Sequence, residues 1–490
     1  MTNREETLDP KDWEAFRSLS HRIVDEATDY LRDVRDRPVW QSMPEDVRQA
    51  FTEPLPVEGE GLASVYAELT ANLMAYPMGN IHPRFWMWYM GSSNATGALG
   101  DYLAAVIGSN LGGGDHAAAL VDNQVVGWCR QMMGLPEGSS GTLTSGGSMA
   151  NIIALTVARN VMAGALFGID LREEGVAALA APLRFYASDQ VHSCHQKGVE
   201  LLGLGNKALH RVASKPDFTI DIHALARAIV EDRAAGFTPA CVIATAGTVN
   251  TGAIDDLKAL RELCDREGLW LHVDGCIGAL IAIAPENRHL VAGIEKADSI
   301  ALDPHKWLHA PFEVGCVLVR DGTAHHSTFA LTPEYLEATP RGIASAHWLH
   351  EYGPQTSRGF RALKVWMALK EHGVGKFGRL IDQNIAQAHY LAGLVEADDR
   401  LELVAPVTVN IVCFRYNPGD LDEAQLKKLN TEIMLRLQEA GTAALSDTTI
   451  GRRHCLRPAI TNHRTRYEDL DLLTAETCRL GDELVAEGFA

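Results

Sequence analysis

From about residue 90 to residue 330, short β-branched apolar runs alternate with stretches of helical periodicity. The runs Arg184–Ala187, Cys241–Thr245, Leu269–Val273, Ser299–Leu302 and Gly315–Val319 read as strands, and Ile254 to Arg266 reads as one of the helices between them. Strand–helix alternation of this kind predicts an α/β fold with a mainly parallel sheet covered by helices on both faces. Ligands of such sheets collect at the carboxyl ends of the strands, where Thr248, Asp274 and Lys306 fall. Past Phe360–Trp366 the pattern changes. A long helix from Val374 to Ala397, strands within Leu401–Tyr416, a helix from Glu423 to Ala440 and a strand Cys455–Ile460 describe a small α+β domain. At the other end, Asp9-Pro10 predicts a helix start. Trp13, Phe16, Ile23, Ala27 and Leu31 then form an apolar stripe that needs a partner surface, and a second subunit would supply one. Pro38, Pro44, Pro54 and Pro56 make the following segment an extended connector. The expected division is an N-terminal helical arm over 1–90, a large domain over 91–372 and a small C-terminal domain over 373–490.

Composition narrows the function class. With 490 residues, 46% apolar and 22% charged, the chain has the balance of a soluble globular protein. A formal net charge of −19 disfavours a nucleic-acid groove or an anionic membrane surface. The polar start Met1–Thr7 lacks the apolar region of a signal peptide, and the longest apolar run, Ala279–Ala284, is far short of a membrane span. Nine cysteines without CxxC spacing indicate neither a disulfide framework nor a zinc site, so the expected compartment is the cytoplasm and no metal is expected.

The chemistry centres on Asp303-Pro304-His305-Lys306-Trp307, which follows the apolar run Ser299–Leu302. A desolvated lysine amine loses its proton readily and can attack an aldehyde. Asp274, at the end of an earlier strand, could hold a pyridine nitrogen protonated and so make the ring an electron sink. Together these two residues suggest pyridoxal phosphate. Gly146-Gly147-Ser148, opening a helix, suits a phosphate, because glycines admit an anion close to the backbone and Ser148 and the first-turn amides can donate to it. Taken alone, that turn reads more simply as an ordinary helix cap. His192, in Ser188-Asp189-Gln190-Val191-His192-Ser193, could stack on a cofactor ring, although an isolated loop histidine more often bonds backbone.

The ordered set Gly-Gly-Ser-x-Ala-Asn, Ser-Asp-x-x-His-Ser, Ala-Thr-x-Gly-Thr, His-Val-Asp and Asp-Pro-His-Lys-Trp resembles the group II pyridoxal-phosphate decarboxylases, a family that includes the aromatic amino acid, glutamate and histidine decarboxylases. The resemblance runs from about Pro77 to Phe414. It implies PLP fold type I, the aspartate-aminotransferase-like architecture, and a homodimer with active sites at the subunit interface. Carried over by position, Lys306 would form the internal aldimine, Asp274 would pair with the pyridinium and His192 would stack on the ring. Gly147 and Ser148 would bind the phosphate with His305 helping, and Thr248 would lie near the cofactor. His82, Pro83, Trp86, Trp88 and Tyr89 match the family's aromatic substrate wall, and Leu111 and Gly113 would face the pocket from the partner subunit. The wall favours an aromatic substrate, and the glycines after Leu111 leave room for a large ring.

The implied reaction is decarboxylation of an L-amino acid to the amine and CO2 through an external aldimine and a quinonoid. Three departures qualify it. Leu349 stands where many relatives have a proton-donating tyrosine in the loop Thr332–Gln355, with His347, His350 and Tyr352 as neighbours able to substitute. Asp274-Gly275-Cys276 replaces Asp-Ala-Ala, and Asp303 replaces an asparagine common in animal members. Loss of the tyrosine makes an aldehyde synthase the first alternative. A non-catalytic cofactor-binding homologue and an aminotransferase are more distant ones.

Overall fold

The computed structural model describes residues 6–331, 339–346 and 348–489. In chain order its strands are β1 (Phe85–Trp86), β2 (Ser140–Thr144), β3 (Leu183–Ser188), β4 (Leu209–Val212), β5 (Thr238–Thr245), β6 (Trp270–Asp274), β7 (Ser299–Leu302), β8 (Gly315–Val319), β9 (Leu401–Leu403), β10 (Phe414–Tyr416), β11 (Ala444–Ile450) and β12 (Arg453–Arg457). A seven-stranded sheet has the order β2-β8-β7-β6-β5-β3-β4. β8 pairs antiparallel with both β2 and β7, and every other pairing in this sheet is parallel. The expected mainly parallel α/β sheet is therefore present, with one strand reversed.

β6, β7 and β8 are buried at every position, which is why they read as unbroken apolar runs rather than alternating ones. β5 begins three residues earlier than its β-branched core suggests. Pro239 lies inside it and pairs with Arg184, beside a register shift between Arg184 and Phe185 that accommodates the missing N–H. The helix Gly147–Phe167 lies against the sheet, with Ile153, Ala154, Leu155, Val157 and Ala158 buried. By length and composition it could cross a membrane, but half of its apolar window is buried inside the protein. Burial accounts for that apolarity.

The second sheet has the order β1-β11-β12-β10-β9. β1, which precedes every strand of the seven-stranded sheet, pairs parallel with β11, Phe85 opposite Ala444 and Trp86 opposite Leu445. Trp86 is fully buried there and its indole N–H donates to Thr465. β11 and the last helix, Tyr467–Ala486, carry no strong sequence signal of their own; β11 has polar Ser446, Asp447, Thr448 and Thr449 at its centre. The N-terminal helix spans Trp13–Arg32 and is capped by the Asp12 carboxylate, which accepts from the Glu14 and Ala15 amides at 3.0 Å, rather than by Asp9-Pro10. None of its residues is buried, and Trp13 is 58% exposed.

One buried cation ties the loop around Leu111 to the large sheet. Arg358 donates to the Leu111 carbonyl at 2.8 Å, the Thr142 hydroxyl at 3.0 Å and the Leu143 carbonyl at 3.2 Å, and faces the Asp122 carboxylate at 3.5 Å. Burial pushes the Asp122 carboxyl up, and the guanidinium opposes that shift. Replacing Arg358 with methionine leaves Asp122 buried without its cation. The variant is expected to lose about 3–5 kcal/mol of stability, read as a lower urea midpoint at unchanged slope.

Candidate active site

β2 ends at Thr144, whose hydroxyl donates to the Gly146 carbonyl at 3.0 Å and closes a tight turn. Gly146 has φ 142°, a conformation that favours glycine. Gly147 opens the long helix, and a Cβ there would strike the Cys276 sulfur and lie 2.8 Å from an Asp303 carboxylate oxygen. Only glycine fits this approach, and the helix N-terminus it creates presents free amides to an anion.

Lys306 lies in the helical turn Pro304–Trp307 after β7, with Nζ 3.1 Å from an Asp303 carboxylate oxygen. Desolvation was expected to strip the proton from this amine. Burial does act that way, but Asp303, Cys276 and Asp274 outweigh it and raise the amine above its ordinary value. The other Asp303 oxygen is buried and has no hydrogen-bond partner. His305 bonds the Val314 carbonyl through Nδ1 at 2.7 Å, which fixes the ring beside the Gly146 turn, and burial lowers its pKa.

Asp274 ends β6. One oxygen accepts from His195 Nε2 at 2.8 Å and the other from the Cys276 amide at 3.2 Å. Burial opposes its charge, yet the His195 imidazolium keeps the carboxyl far below the usual range. Burial also opposes charge on His195, but the Cys194 sulfur and Asp274 pull it up to about 10. His192 caps the helix Ser193–Leu201, its Nδ1 accepting from the Cys194 amide at 3.1 Å. A neutral histidine lies behind Asn151: His272, pushed down to about 3 by burial, donates to the Asn151 side-chain Oδ1 at 2.7 Å.

Gly147, Ser148, His192, Asp274, His305 and Lys306 all line one cavity of about 280 Å³ at the carboxyl end of the large sheet. Thr248 does not line it. Its buried hydroxyl is spent within its own turn, on Thr251 at 3.0 Å and the Ala253 amide at 3.0 Å, while Gly247 and Val249 reach the cavity instead. Tyr89 is close, its ring centre 5.6 Å from Lys306 Nζ and packed edge-on against Trp307. Trp88 is half exposed. His82 is buried elsewhere, bonded to the Arg37 carbonyl and the Arg84 amide, and the Pro83 carbonyl accepts from Thr465. Leu111 is fully buried in the core of its own subunit, and Gly113 caps that loop, its carbonyl facing the His116 ring.

The expected proton donors also lie outside this cavity. The His350 amide donates to Gly112 and its ring packs on Trp348, while Tyr352 packs against His325 and His326. Leu349 is buried among Thr142, Leu143 and Ile153. His347 lies outside the described residues. Sequence reasoning gave no role to His195, Cys194 or Asn151 and saw Asp303 only as a departure. The spacing of His195 three residues after His192, at the start of a helix, was the available signal.

The comparisons with known proteins fall on this geometry. The family model for the pyridoxal-dependent decarboxylase conserved domain matches residues 44–417. The chain belongs to this family. An aromatic-L-amino-acid decarboxylase of Bacillus atrophaeus is 33% identical over 480 residues, 96% of each chain. The structure of Oryza sativa TDC with PLP and tryptamine superposes with TM-score 0.88 at 27% identity, covering 98% of this chain and 100% of that one. That of Rhodiola rosea 4-hydroxyphenylacetaldehyde synthase gives 0.86 at 26%, covering 97% and 100%. The protein is thus a pyridoxal-phosphate enzyme of fold type I with decarboxylase relatives. The glycine turn, the buried Asp274 and the unpaired Asp303 oxygen fit that cofactor.

Because Asp303 holds Lys306 as an ammonium, Asp303→Asn lowers the lysine pKa and enlarges the neutral, nucleophilic fraction at any pH below it. Apoprotein mixed with pyridoxal phosphate, quenched with borohydride and mapped by peptide mass is expected to carry the label on Lys306. In the variant the labelling rate should rise and its pH profile should move to lower pH. A profile that stays put would show that Asp303 does not control this amine.

Proposed function

We propose that the protein removes the carboxylate of an aromatic L-amino acid, giving the amine and CO2, and that it works as a homodimer. The observation that carries the substrate reading is Tyr89, whose ring stands 5.6 Å from Lys306 Nζ and edge-on to Trp307, an aromatic wall beside the reactive amine. Its hydroxyl is held by Asn410 at 3.2 Å, so the ring is fixed before substrate arrives. The relatives named aromatic-L-amino-acid and tyrosine decarboxylases support the same class.

Bound pyridoxal phosphate would supply the electron sink for the bond that breaks at Cα. The chain's own groups would do the rest. Lys306 would hold the cofactor and be displaced by the substrate amine, and Gly147 and Ser148 would receive the phosphate at the helix N-terminus with His305 alongside. Asp274, kept ionised by His195, would hold a proton on the ring nitrogen. His192 would cover one face of the ring. Orientation decides which bond breaks, so the wall at Tyr89 would aim the carboxylate perpendicular to the ring plane.

Aldehyde formation is the second reading. It is favoured by Leu349 standing where relatives carry a tyrosine and by His350 and Tyr352 lying outside the Lys306 cavity within the chain. Relatives named phenylacetaldehyde synthase and 4-hydroxyphenylacetaldehyde synthase make it chemically concrete.

The dimer proposal rests on apolar surface. The N-terminal helix has no buried residue, and Tyr102, Val106, Ile107 and Leu120 are more than half exposed. Sedimentation of the holoenzyme at micromolar concentration is expected to give a dimer, and Trp13→Asp with Phe16→Asp should shift it toward monomer. For the reaction, the proteogenic amino acids should be assayed with and without oxygen. Amine equal to CO2, no peroxide, and the highest kcat/KM for an aromatic substrate are expected. Aldehyde and peroxide rising in step with CO2 would establish the second reading instead.

A further inference from the structure

The cavity floor contains a thiol cluster that decarboxylation does not use. The Cys194 sulfur, a His195 ring nitrogen and an Asp274 oxygen all lie within 4.8 Å of one another. His195 spends Nε2 on Asp274, and its Nδ1 is buried without a hydrogen-bond partner. Burial alone would raise the Cys194 thiol, but the His195 and His192 rings bring it down to about 7. A second sulfur is close by. The Asn151 amide nitrogen lies 3.6 Å from Cys194 Sγ and 3.7 Å from Cys276 Sγ, so one side-chain amide bridges the two. Both cysteines line the same cavity, and Cys276 packs against the Gly147 turn.

We propose that Cys194 is a peroxide-reactive thiolate activated by the His195–Asp274 pair, and that Cys276 resolves the oxidised form into an intramolecular disulfide that weakens cofactor binding. The electron balance is complete with hydrogen peroxide as the oxidant. The Cys194 thiolate attacks one peroxide oxygen, the O–O bond breaks, and the sulfur becomes a sulfenic acid as the other oxygen leaves as water after taking up a proton. The Cys276 thiol then attacks that sulfur, its proton leaves with the displaced hydroxide as a second water, and an S–S bond replaces the S–O bond. Selectivity comes from the surroundings of the two sulfurs: Cys194 faces the His195 and His192 rings, whereas burial and the Asp274 and Asp303 carboxylates push the Cys276 thiol well up despite Lys306 nearby. Because the Cys276 sulfur lies against the Gly147 turn, its entry into a disulfide couples oxidation to that turn.

The test uses the holoenzyme, titrated with hydrogen peroxide, alkylated without reduction and mapped by peptide mass. A Cys194–Cys276 linkage is expected before any other cysteine is modified, together with release of pyridoxal phosphate and reversal of both by dithiothreitol. In Cys276→Ser, dimedone should trap a sulfenic acid on Cys194. In His195→Gln the rate of that trapping should fall by roughly tenfold as the thiol loses the imidazolium beside it. Oxidation beginning at another cysteine, or a Cys194 sulfenic acid that persists in the unaltered protein, overturns the proposal. The readout is covalent mass on the unaltered chain, so it stands whether or not the variants fold and whatever amino acid the enzyme accepts.

Discussion

Two carboxylates and two cations meet at the carboxyl edge of the large sheet, buried Asp303 with partly buried Lys306 and buried Asp274 with buried His195. An isolated charge at such depth would carry a desolvation penalty of several kcal/mol, so each member is tolerable only while its partner stays in place. The pairs stand at the ends of adjacent parallel strands, β6 and β7, which the ladder holds in register through Val273 opposite Ile300 and Asp274 opposite Ala301. Much of the surrounding architecture secures that register. Close backbone approaches of glycine, at Gly91 against the His305 carbonyl and at Gly147 against Cys276, leave no room for the lysine turn or the phosphate turn to drift. Neutral His272, between Asn151 and Ser299, fills the space beneath without adding a fifth charge.

The pairing also divides the labour among chemically similar groups. His195 and His272 lie with ring centres 6.0 Å apart, yet one is held charged by a carboxylate and the other neutral by burial. Lys306 is kept as an ammonium by Asp303, so the amine is stored in a form that does not react indiscriminately. The charges around the glycine turn and Asp274 are therefore fixed by the folded chain itself. That is electrostatic preorganisation, set by which charge faces which.

The fold class was legible because buried parallel strands carry an unmistakable apolar signature, and Ser299–Leu302 and Gly315–Val319 emerge with their ends intact. The reversed direction of β8 was not, since periodicity carries no sense of direction. Positions at strand ends, such as Asp274 and Lys306, were legible because they stop an apolar run abruptly. Their partners were not: His195 reaches Asp274 across 79 residues of chain, a contact that only the folded sheet creates. The assignments for Thr248, Leu111, His350 and Tyr352 came from position along the chain. Within the chain these residues stand outside the Lys306 cavity: the Thr248 hydroxyl bonds within its own turn, Leu111 lies in the core, and the His350 and Tyr352 rings pack on neighbours, contacts that position along the chain does not reveal. β11 stayed hidden behind polar residues at its centre, which pairing with β12 accommodates.

The pairing of β1 with β11 has a kinetic side. β1 finds its place only against β11, with the whole seven-stranded sheet between them in sequence. Tyr89 and Trp88 follow directly and are anchored the same way, through Asn410 and Arg457. During synthesis the N-terminal segment therefore emerges long before its partners exist, and contacts of such separation are the slow ones to form. The large sheet can assemble while the ribosome is still at work, but the wall beside Lys306 is finished last, when the chain's two ends meet.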